Sequence, residues 1–319
     1  MIKFSVTIPS YKGLYLEEAI KSVLKQSFQN FELIIVDDCS PDDLKSIVDR
    51  FDDTRIKYYR NDNNCGAINV VDNWNICLGY CTGEYVLCMG DDDRLLPCCL
   101  EEFSKLIEKH PNLNVFHAWT QIIDENGSVL DVLEPRPQWE SAYALNYYRW
   151  SGRRQYIGDF CYRTQHLRDN DGYYKLPLAW GSDDITAVRA AAIGGIANTQ
   201  RPCFEYRVNR YTISNNPSLI EMKLKALNYE RNWYDIVFLK NTIDLSPMDH
   251  WYYQRLLKIE DVSYQRKAVR EILNGGNYNI FRIIQWLFLC NKYGIKKAEY
   301  IKQVLLLVYI KVRSLMSTK

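Results

Sequence analysis

The sequence predicts an α/β protein, a doubly wound and mostly parallel sheet followed by an all-helical C-terminal region. Three observations carry this. Short β-branched runs alternate with helical periodicity over the first 110 residues, turn residues separate them, and from residue 218 onward the apolar spacing is nearly all helical. A chain of 319 residues with 47% hydrophobic and 25% charged side chains has ordinary globular usage and can bury one large or two modest cores. That excludes disorder, collagen-like repeats and a multi-span membrane protein.

Taken in order, Phe4-Ser5-Val6-Thr7-Ile8 reads as a buried strand, and 14–25 as an amphipathic helix with Ala19, Ile20, Val23 and Leu24 on one face. Glu32-Leu33-Ile34-Ile35-Val36 is the next strand. Ser40 and Pro41 open a helix over 42–51 as N-cap and first helical residue. Residues 55–59 form a strand, 67–78 a helix, 84–89 a strand and 97–109 a helix, joined by right-handed crossovers. After Pro111 come strand-like pieces over 115–123 and 128–133 joined across Glu125-Asn126-Gly127, then an irregular aromatic-rich stretch. A helix over 182–193 ends at Gly194-Gly195. A boundary near Asn216-Pro217 divides 1–216 from a helical 217–319.

The net charge of +1 hides an asymmetry. Residues 1–93 hold nine basic and sixteen acidic side chains, and 292–319 hold seven basic and one acidic. An acidic front and a basic tail point to two different partners. Nucleic acid is not one of them, because the only basic cluster lies on an amphipathic tail. The ten cysteines include no C-x-x-C pair and fit no zinc spacing, so they are expected as free, mostly buried thiols in a reducing cytosol. The opening residues lead straight into a strand, which predicts no signal peptide. The longest apolar stretches, 283–290 and 303–310, are too short to span a bilayer, so a soluble or peripheral protein is expected.

In a doubly wound sheet, ligands bind beyond the carboxyl ends of the strands. Pro9-Ser10-Tyr11, Asp37-Asp38, residues 61–66 and Gly90-Asp91-Asp92-Asp93 fall there. Three adjacent carboxylates repel one another; a divalent cation resolves the conflict, and a solvated acidic turn is the plainer alternative. Asp37-Asp38 can accept from a nucleobase or ribose, or cap the next helix. Asp183-Asp184 opens a helix, where capping and a general base are both open readings. Neither G-x-G-x-x-G nor G-x-x-x-x-G-K-[ST] occurs, which argues against dinucleotide oxidoreductases and P-loop NTPases.

Val6-Thr7-Ile8-Pro9-Ser10-Tyr11, Ile35-Val36-Asp37-Asp38-Cys39-Ser40, Gly66 with Asn73-Trp74-Asn75, Thr82-Gly83-Glu84-Tyr85-Val86 and Asp91-Asp92-Asp93-Arg94-Leu95-Leu96-Pro97 together resemble family 2 of the inverting glycosyltransferases. The resemblance is strong over 1–110 and thins out by about 215. It implies the GT-A fold, with 1–93 as the nucleotide-sugar half and 94–216 as the acceptor half. It places Pro9, Ser10 and Tyr11 beside base and ribose, with Asp38 and Asp37 hydrogen-bonding uracil or ribose. The family's D-x-D motif maps onto Asp91 to Asp93. Gly90 takes the first Asp position, so Asp91 faces ribose and Asp92 the metal; Asp91-x-Asp93 also fits, making Asp92 and Asp93 the candidate ligands for Mn²⁺ or Mg²⁺. Asp183-Asp184 resembles the family's Glu-Asp pair, whose second member, here Asp184, is the expected base. Where many relatives carry Tyr-Arg-x-His before a Ser, this chain has Tyr206-Arg207-Val208-Asn209 and then Ser214, so a His ligand is missing there.

The implied activity is metal-dependent, inverting transfer from a nucleotide-sugar, by family habit a UDP-sugar, to a hydroxyl of a saccharide or lipid-linked saccharide, in surface polysaccharide synthesis. A non-catalytic carbohydrate- or nucleotide-sugar-binding protein on the same fold is the alternative, against which both acidic sites speak. A nucleotidyltransferase would need a glycine-rich basic loop, which Pro9-Ser10-Tyr11-Lys12-Gly13 is not. His110, His117, His166 and His250 lie far apart and are expected outside catalysis. Trp139, Tyr143, Tyr147, Tyr148 and Trp150 are read either as acceptor-stacking rings or as packing. Arg153-Arg154 is read as solvated charge, with an anionic acceptor or the diphosphate as the other reading. In the tail, Ile301, Val304, Leu305, Val308, Val312 and Leu315 form an apolar face expected to pack on the preceding helices. Lys297, Lys302, Lys311 and Arg313 leave a basic rim for the inner face of a membrane.

Overall fold

Alternation along the first two strands explains their central place. In β1 (Phe4–Ser10), Phe4, Val6 and Ile8 enter one apolar layer. In β2 (Phe31–Asp37), Leu33 and Ile35 join that layer while Ile34 and Val36 join the opposite one. A strand that is apolar on both faces must be covered on both. The computed structural model, which describes residues 3–209, 217–240, 244–274 and 280–317, shows the two covers. Helices α1 (Leu16–Leu24) and α2 (Leu44–Val48) lie on one face, α3 (Val70–Tyr80) on the other, and α4 (Cys99–Lys109) again on the first. β3 (Ile56–Arg60) runs parallel to β2, and β4 (Tyr85–Cys88) parallel to β1. The cap of α2 differs from the expected one. Asp43, not Ser40, accepts from the Ser46 amide, while Ser40 donates to the Tyr11 carbonyl and accepts from the Asp42 amide, tying two loops together instead.

The second half is less parallel than the sequence predicts. It holds β5 (Arg94–Leu95), β6 (Val115–Ile123), β7 (Val129–Val132), β8 (Trp139–Glu140), α5 (Ala142–Trp150), β9 (Phe160–Arg163), α6 (Thr164–Asp169), α7 (Ser182–Ala191) and β10 (Ile196–Arg207). Among the described residues one ten-stranded sheet results, ordered β3-β2-β1-β4-β9-β6-β10-β5, with β7 on β6 and β8 on β10. β9 lies in the stretch read as irregular, yet it pairs antiparallel with both β4 and β6. Four residues without alternation carry little local signal, and the strand exists because both neighbours offer an unpaired edge. β10 pairs parallel with β6, with register shifts around Pro202, which lacks an N–H for the ladder.

The C-terminal region is helical as expected: α8 (Ile220–Trp233), α9 (Pro247–Asn274), α10 (Ile280–Leu289) and α11 (Lys297–Ser317). Leu224, Leu227, Tyr264, Ala268, Trp286 and Tyr300 form its own apolar cluster. Asn216 and Ser214 lie outside the described residues, so the expected boundary falls at their edge. The tail departs from expectation. Tyr300 and Val304 face the cluster, whereas Ile301, Leu305 and Val308 are exposed, as are Ile284 and Phe288 on α10. Helix α11 therefore buries a narrower stripe than its apolar spacing suggests; the side chains of Lys311, Val312 and Leu315 lie outside the described ones. Among the described residues no helix is long and apolar enough to cross a membrane. All ten cysteines are free, and seven of them are buried.

Candidate functional site

Two clefts meet at the carboxyl edge of the sheet. The first, about 480 Å³, is lined by Pro9, Tyr11, Lys12, Asp38, Gly66, Asp91, Asp92 and Asn209, among others. Strand β1 stays in register with β2 through Ser10, opposite Asp37, and the chain leaves the sheet at Tyr11. Buried Ser10 donates its hydroxyl to Asp91 Oδ2 at 3.1 Å, and the Tyr11 and Lys12 amides reach the same oxygen at 2.8 and 2.9 Å. Asp91 thus anchors the β1 loop while lining the cleft. Asp38 accepts from Asn61 Nδ2 and the Cys65 amide, both at 2.9 Å, and also lines it. Asp37 does not. Its carboxylate is fully buried and held by Tyr58 Oη at 2.6 Å, by Arg60 and by the Ser40 amide. The adjacent pair divides its work, Asp37 fixing the strand end and Asp38 facing the cleft.

The Asp91-Asp92-Asp93 turn is held from across the sheet by β10. Arg207, buried at its end, donates Nε to the Asp92 carbonyl at 2.7 Å and its amide to Asp93 Oδ1 at 2.9 Å. Its Nη1 reaches the Asp124 and Glu125 carbonyls. Asn209 donates Nδ2 to Asp92 Oδ2 at 2.6 Å, so the residue standing where relatives carry His touches the carboxylate assigned to the metal. Burial, and next the Asp91 charge, push Asp92 up to about 6; burial and then Asp92 raise Asp93 well above the carboxylate range.

Asp91 and Asp92 share the first cleft, whereas Asp93 lines the second. Among the described residues no group of three or more His, Cys, Asp or Glu forms a cage for a metal. Two carboxylates beside an open cleft instead match the way Mg²⁺ is held, by one or two carboxylates completed by substrate phosphates. Asp92, with Asp91 beside it, fits such an ion; Asp93, turned to the Arg207 amide, is set apart from that cleft.

The second cleft, about 280 Å³, is lined by Asp93, Asp183, Asp184 and four aromatic side chains, Trp74, Tyr156, Trp180 and Tyr206, with Arg149 and Gln155 beside them. Helices α8 and α9 close it with Leu227, Glu230, Lys267, Arg270 and Glu271. Tyr156 and Tyr206 stack at 3.6 Å with an 11° tilt. Gly181, at φ +90°, provides the left-handed turn that opens α7, and an added Cβ there would meet Glu230 at 2.9 Å. Of the two aspartates that follow, Asp184 is buried and fully engaged. It accepts from Arg149 Nε at 2.6 Å, Gln155 Nε2 at 2.8 Å and Lys267 Nζ at 3.3 Å. Arg149 and Lys267 outweigh burial and hold its carboxyl well below the usual range. Asp183 is half-buried and hydrogen-bonds to neither cation; burial and next the Asp184 charge push it up to about 8 against the opposing pull of Arg149.

The aromatic residues singled out from sequence do not reach this cleft. Tyr147 and Tyr148 pack with Trp251 and Tyr252, Tyr143 with Phe238, and buried Trp150 with Tyr234; Trp139 is exposed at the sheet edge. Trp74, Tyr156, Trp180 and Tyr206 take that place. Trp74 stands inside Asn73-Trp74-Asn75, Tyr206 opens Tyr206-Arg207-Val208-Asn209 and Trp180 precedes Asp183-Asp184 by three residues, whereas nothing in the sequence marks Tyr156. Arg153 is not solvated charge either. It forms a two-pronged pair with Glu140 at 2.9 and 3.0 Å, while Arg154 stays exposed beside Asp131.

Comparison with known proteins follows the same lines. The model of Glycosyl transferase family 2 matches residues 5–172. A GalNAc(5)-diNAcBac-PP-undecaprenol beta-1,3-glucosyltransferase of Campylobacter jejuni is 38% identical over 36% of this chain and 41% of its own length. The poly(ribitol-phosphate) beta-N-acetylglucosaminyltransferase TarS of Staphylococcus aureus is 28% identical over 60% of this chain and 32% of its own. The chain thus spans less than half the length of these two relatives. A UDP-Glc:alpha-D-GlcNAc-diphosphoundecaprenol beta-1,3-glucosyltransferase of Escherichia coli, WfgD, is 27% identical over 72% of this chain and 83% of its own. The crystal structure of S. aureus TarS superposes with a TM-score of 0.63 at 19% identity over 92% of this chain and 48% of that one, which shows a shared GT-A type fold.

Proposed function

The chain belongs to glycosyl transferase family 2 and is a glycosyltransferase, and on that premise we propose that it transfers a sugar from a UDP-sugar to a saccharide hydroxyl, with inversion and with a divalent metal. The observation that carries this is the junction of the two clefts. One turn presents Asp91 and Asp92 to the first cleft and Asp93 to the second, where Asp183 stands unpaired. Pro9, Tyr11 and Asp38 would receive base and ribose in the first cleft; UDP and UDP-GlcNAc complexes of a TarS fragment with the same fold support the UDP assignment. Rings and polar groups together suit a saccharide in the second. WfgD and the C. jejuni enzyme, by their names, glycosylate diphosphoundecaprenol-linked saccharides, which supports a lipid-linked acceptor.

Charge accounting assigns the steps. Breaking the bond between anomeric carbon and phosphate leaves negative charge on the departing diphosphate, in the cleft that Asp91 and Asp92 line together with Lys12. Asp92, with Asp91 beside it, would hold a Mn²⁺ or Mg²⁺, which would supply Lewis-acid stabilisation of that charge. The acceptor hydroxyl attacks from the opposite face and loses its proton to Asp183. Asp183 takes the role that the sequence alone gave to Asp184, because a carboxylate bound to Arg149 and Lys267 has no affinity for a proton to spare. Attack opposite the leaving group makes a β-linkage from an α-linked donor; a retained configuration would overturn this.

Asp92→Asn is expected to lower turnover roughly 10²-fold or more, since several kcal/mol of leaving-group stabilisation disappear. The same variant should weaken Mn²⁺ binding in calorimetry with UDP present, and unchanged binding would free Asp92 of the ligand role.

Exposed Ile284, Phe288, Leu305 and Val308, flanked by exposed Lys297, Lys302 and Arg313, make a basic-rimmed apolar strip suited to an anionic lipid surface. Full-length protein is expected to float with anionic vesicles, and a Phe288→Glu/Leu305→Glu variant to remain behind. Equal flotation of the two would remove the membrane reading.

A further inference from the structure

Arg153 and Arg154 remain unexplained by the two clefts above. They line a third one, about 300 Å³, together with His117, Thr120, Arg136 and Tyr148. Its floor is short of partners. Four buried nitrogens of its lining residues make no hydrogen bond: His117 Nδ1 and Nε2, Arg136 Nη1 and Arg153 Nε. Arg136, only 6% exposed, reaches the Arg154 carbonyl at 3.4 Å and Gln155 Oε1 at 3.3 Å with Nη2 alone. Two guanidiniums share one carboxylate, because Glu140 meets Arg153 in two-pronged fashion and stands 3.7 Å from Arg136.

The other carboxylates nearby are occupied. Asp159 accepts from Thr120 Oγ1 at 2.5 Å and from the Tyr156 amide at 2.7 Å, with His117 Nε2 3.5 Å from its Oδ2 and outside hydrogen-bond geometry, and Asp131 pairs with Arg154. Glu134 sits exposed on the rim. The field of Arg136 and Arg153 adds to burial in keeping His117 neutral, so the imidazole offers one N–H and one lone pair. A buried guanidinium with an unused donor is costly unless a ligand or water completes it, and guanidinium forks match phosphate oxygens.

We propose that the cleft walled by His117, Arg136, Arg153 and Arg154 is an anion site that takes a phosphoryl group, separate from the cleft lined by Asp91 and Asp92. The segment from Arg149 to Tyr156 is the partition between this site and the aromatic cleft. Arg153 and Arg154 face one side and Arg149, Gln155 and Tyr156 the other, and Gln155 links Arg136 to Asp184. The phosphoryl group can be free phosphate or part of a phosphorylated saccharide; the chemistry of recognition is shared.

The test titrates full-length protein with inorganic phosphate by calorimetry, with UDP saturating the first cleft. Saturable binding is expected, weakened several-fold by Arg154→Gln at the exposed rim and at least about tenfold by Arg136→Gln. Circular dichroism checks that both variants fold; should Arg136→Gln fail, Arg154→Gln alone decides. Glucose 6-phosphate binding more tightly than phosphate, with glucose itself silent, would assign the site to a phosphorylated saccharide, and equal binding to the free anion. No saturable binding, or binding unchanged in Arg154→Gln, overturns the proposal.

Discussion

Asp183→Asn is expected to lower kcat by about 10²–10⁴-fold, the usual worth of a positioned general base, with little change in the KM for the donor. The amide keeps the shape of the side chain but cannot take the acceptor proton. In the parent enzyme the rate should rise with pH through about 8, because the base works only when ionised and burial beside Asp184 holds its proton to that pH. This limb should vanish in the variant. The same substitution should stabilise the fold at pH 8. A carboxyl whose native pKa is raised contributes stability below its unfolded pKa and loses it as pH rises through the native value, so replacing it by a neutral amide removes that loss. A variant of full activity would remove Asp183 from the mechanism.

Asp184→Ala should act on the fold first. It strips Arg149 and Lys267 of a shared carboxylate; Lys267 keeps Glu230 at 2.8 Å, but Arg149 retains only the Arg153 carbonyl. Removing one member of a buried ion pair typically costs about 3–5 kcal/mol, and urea denaturation should show a loss of that order. An Arg149→Leu/Asp184→Leu pair should recover part of it, since no unpaired charge remains. A loss under about 1 kcal/mol in the single variant would show that water reaches Arg149. The pH dependence has the opposite sign to that of Asp183. A depressed carboxyl contributes stability above its unfolded pKa, near 4, and loses it as pH falls through the lower native value, so acid should weaken this contact between the sheet domain and α9.

The contrast between these neighbours shows where sequence reading stops. Strands β1, β2 and β4 were legible because short apolar runs bounded by turn residues and followed by helical periodicity leave few alternatives, and the carboxyl edge follows from their direction. The division of labour within each Asp pair was not legible. Asp37 and Asp38, or Asp183 and Asp184, are alike in type and context, and their roles are set by Arg60, Arg149 and Lys267, which arrive from other parts of the chain. The same holds for β9, whose four residues are a strand only because β4 and β6 flank them. Trp180 and Tyr206, far apart in the chain, likewise show no shared role until the fold sets them on one cleft.

Arg207 has a consequence for the order in which the protein becomes competent. The parallel strands and the Asp91-Asp92-Asp93 turn leave the ribosome more than a hundred residues before Arg207, which holds that turn through the Asp92 carbonyl and Asp93. Strands β1 to β4 can pair early, from contacts already synthesised, and Asp91 can meet the β1 loop with them, whereas the Asp92-Asp93 half of the turn gains its Arg207 contacts only when β10 closes on β6. A nascent chain can therefore carry a formed sheet well before the Asp92-Asp93 half of this turn is held, and that part of the carboxyl edge is among the last to be finished.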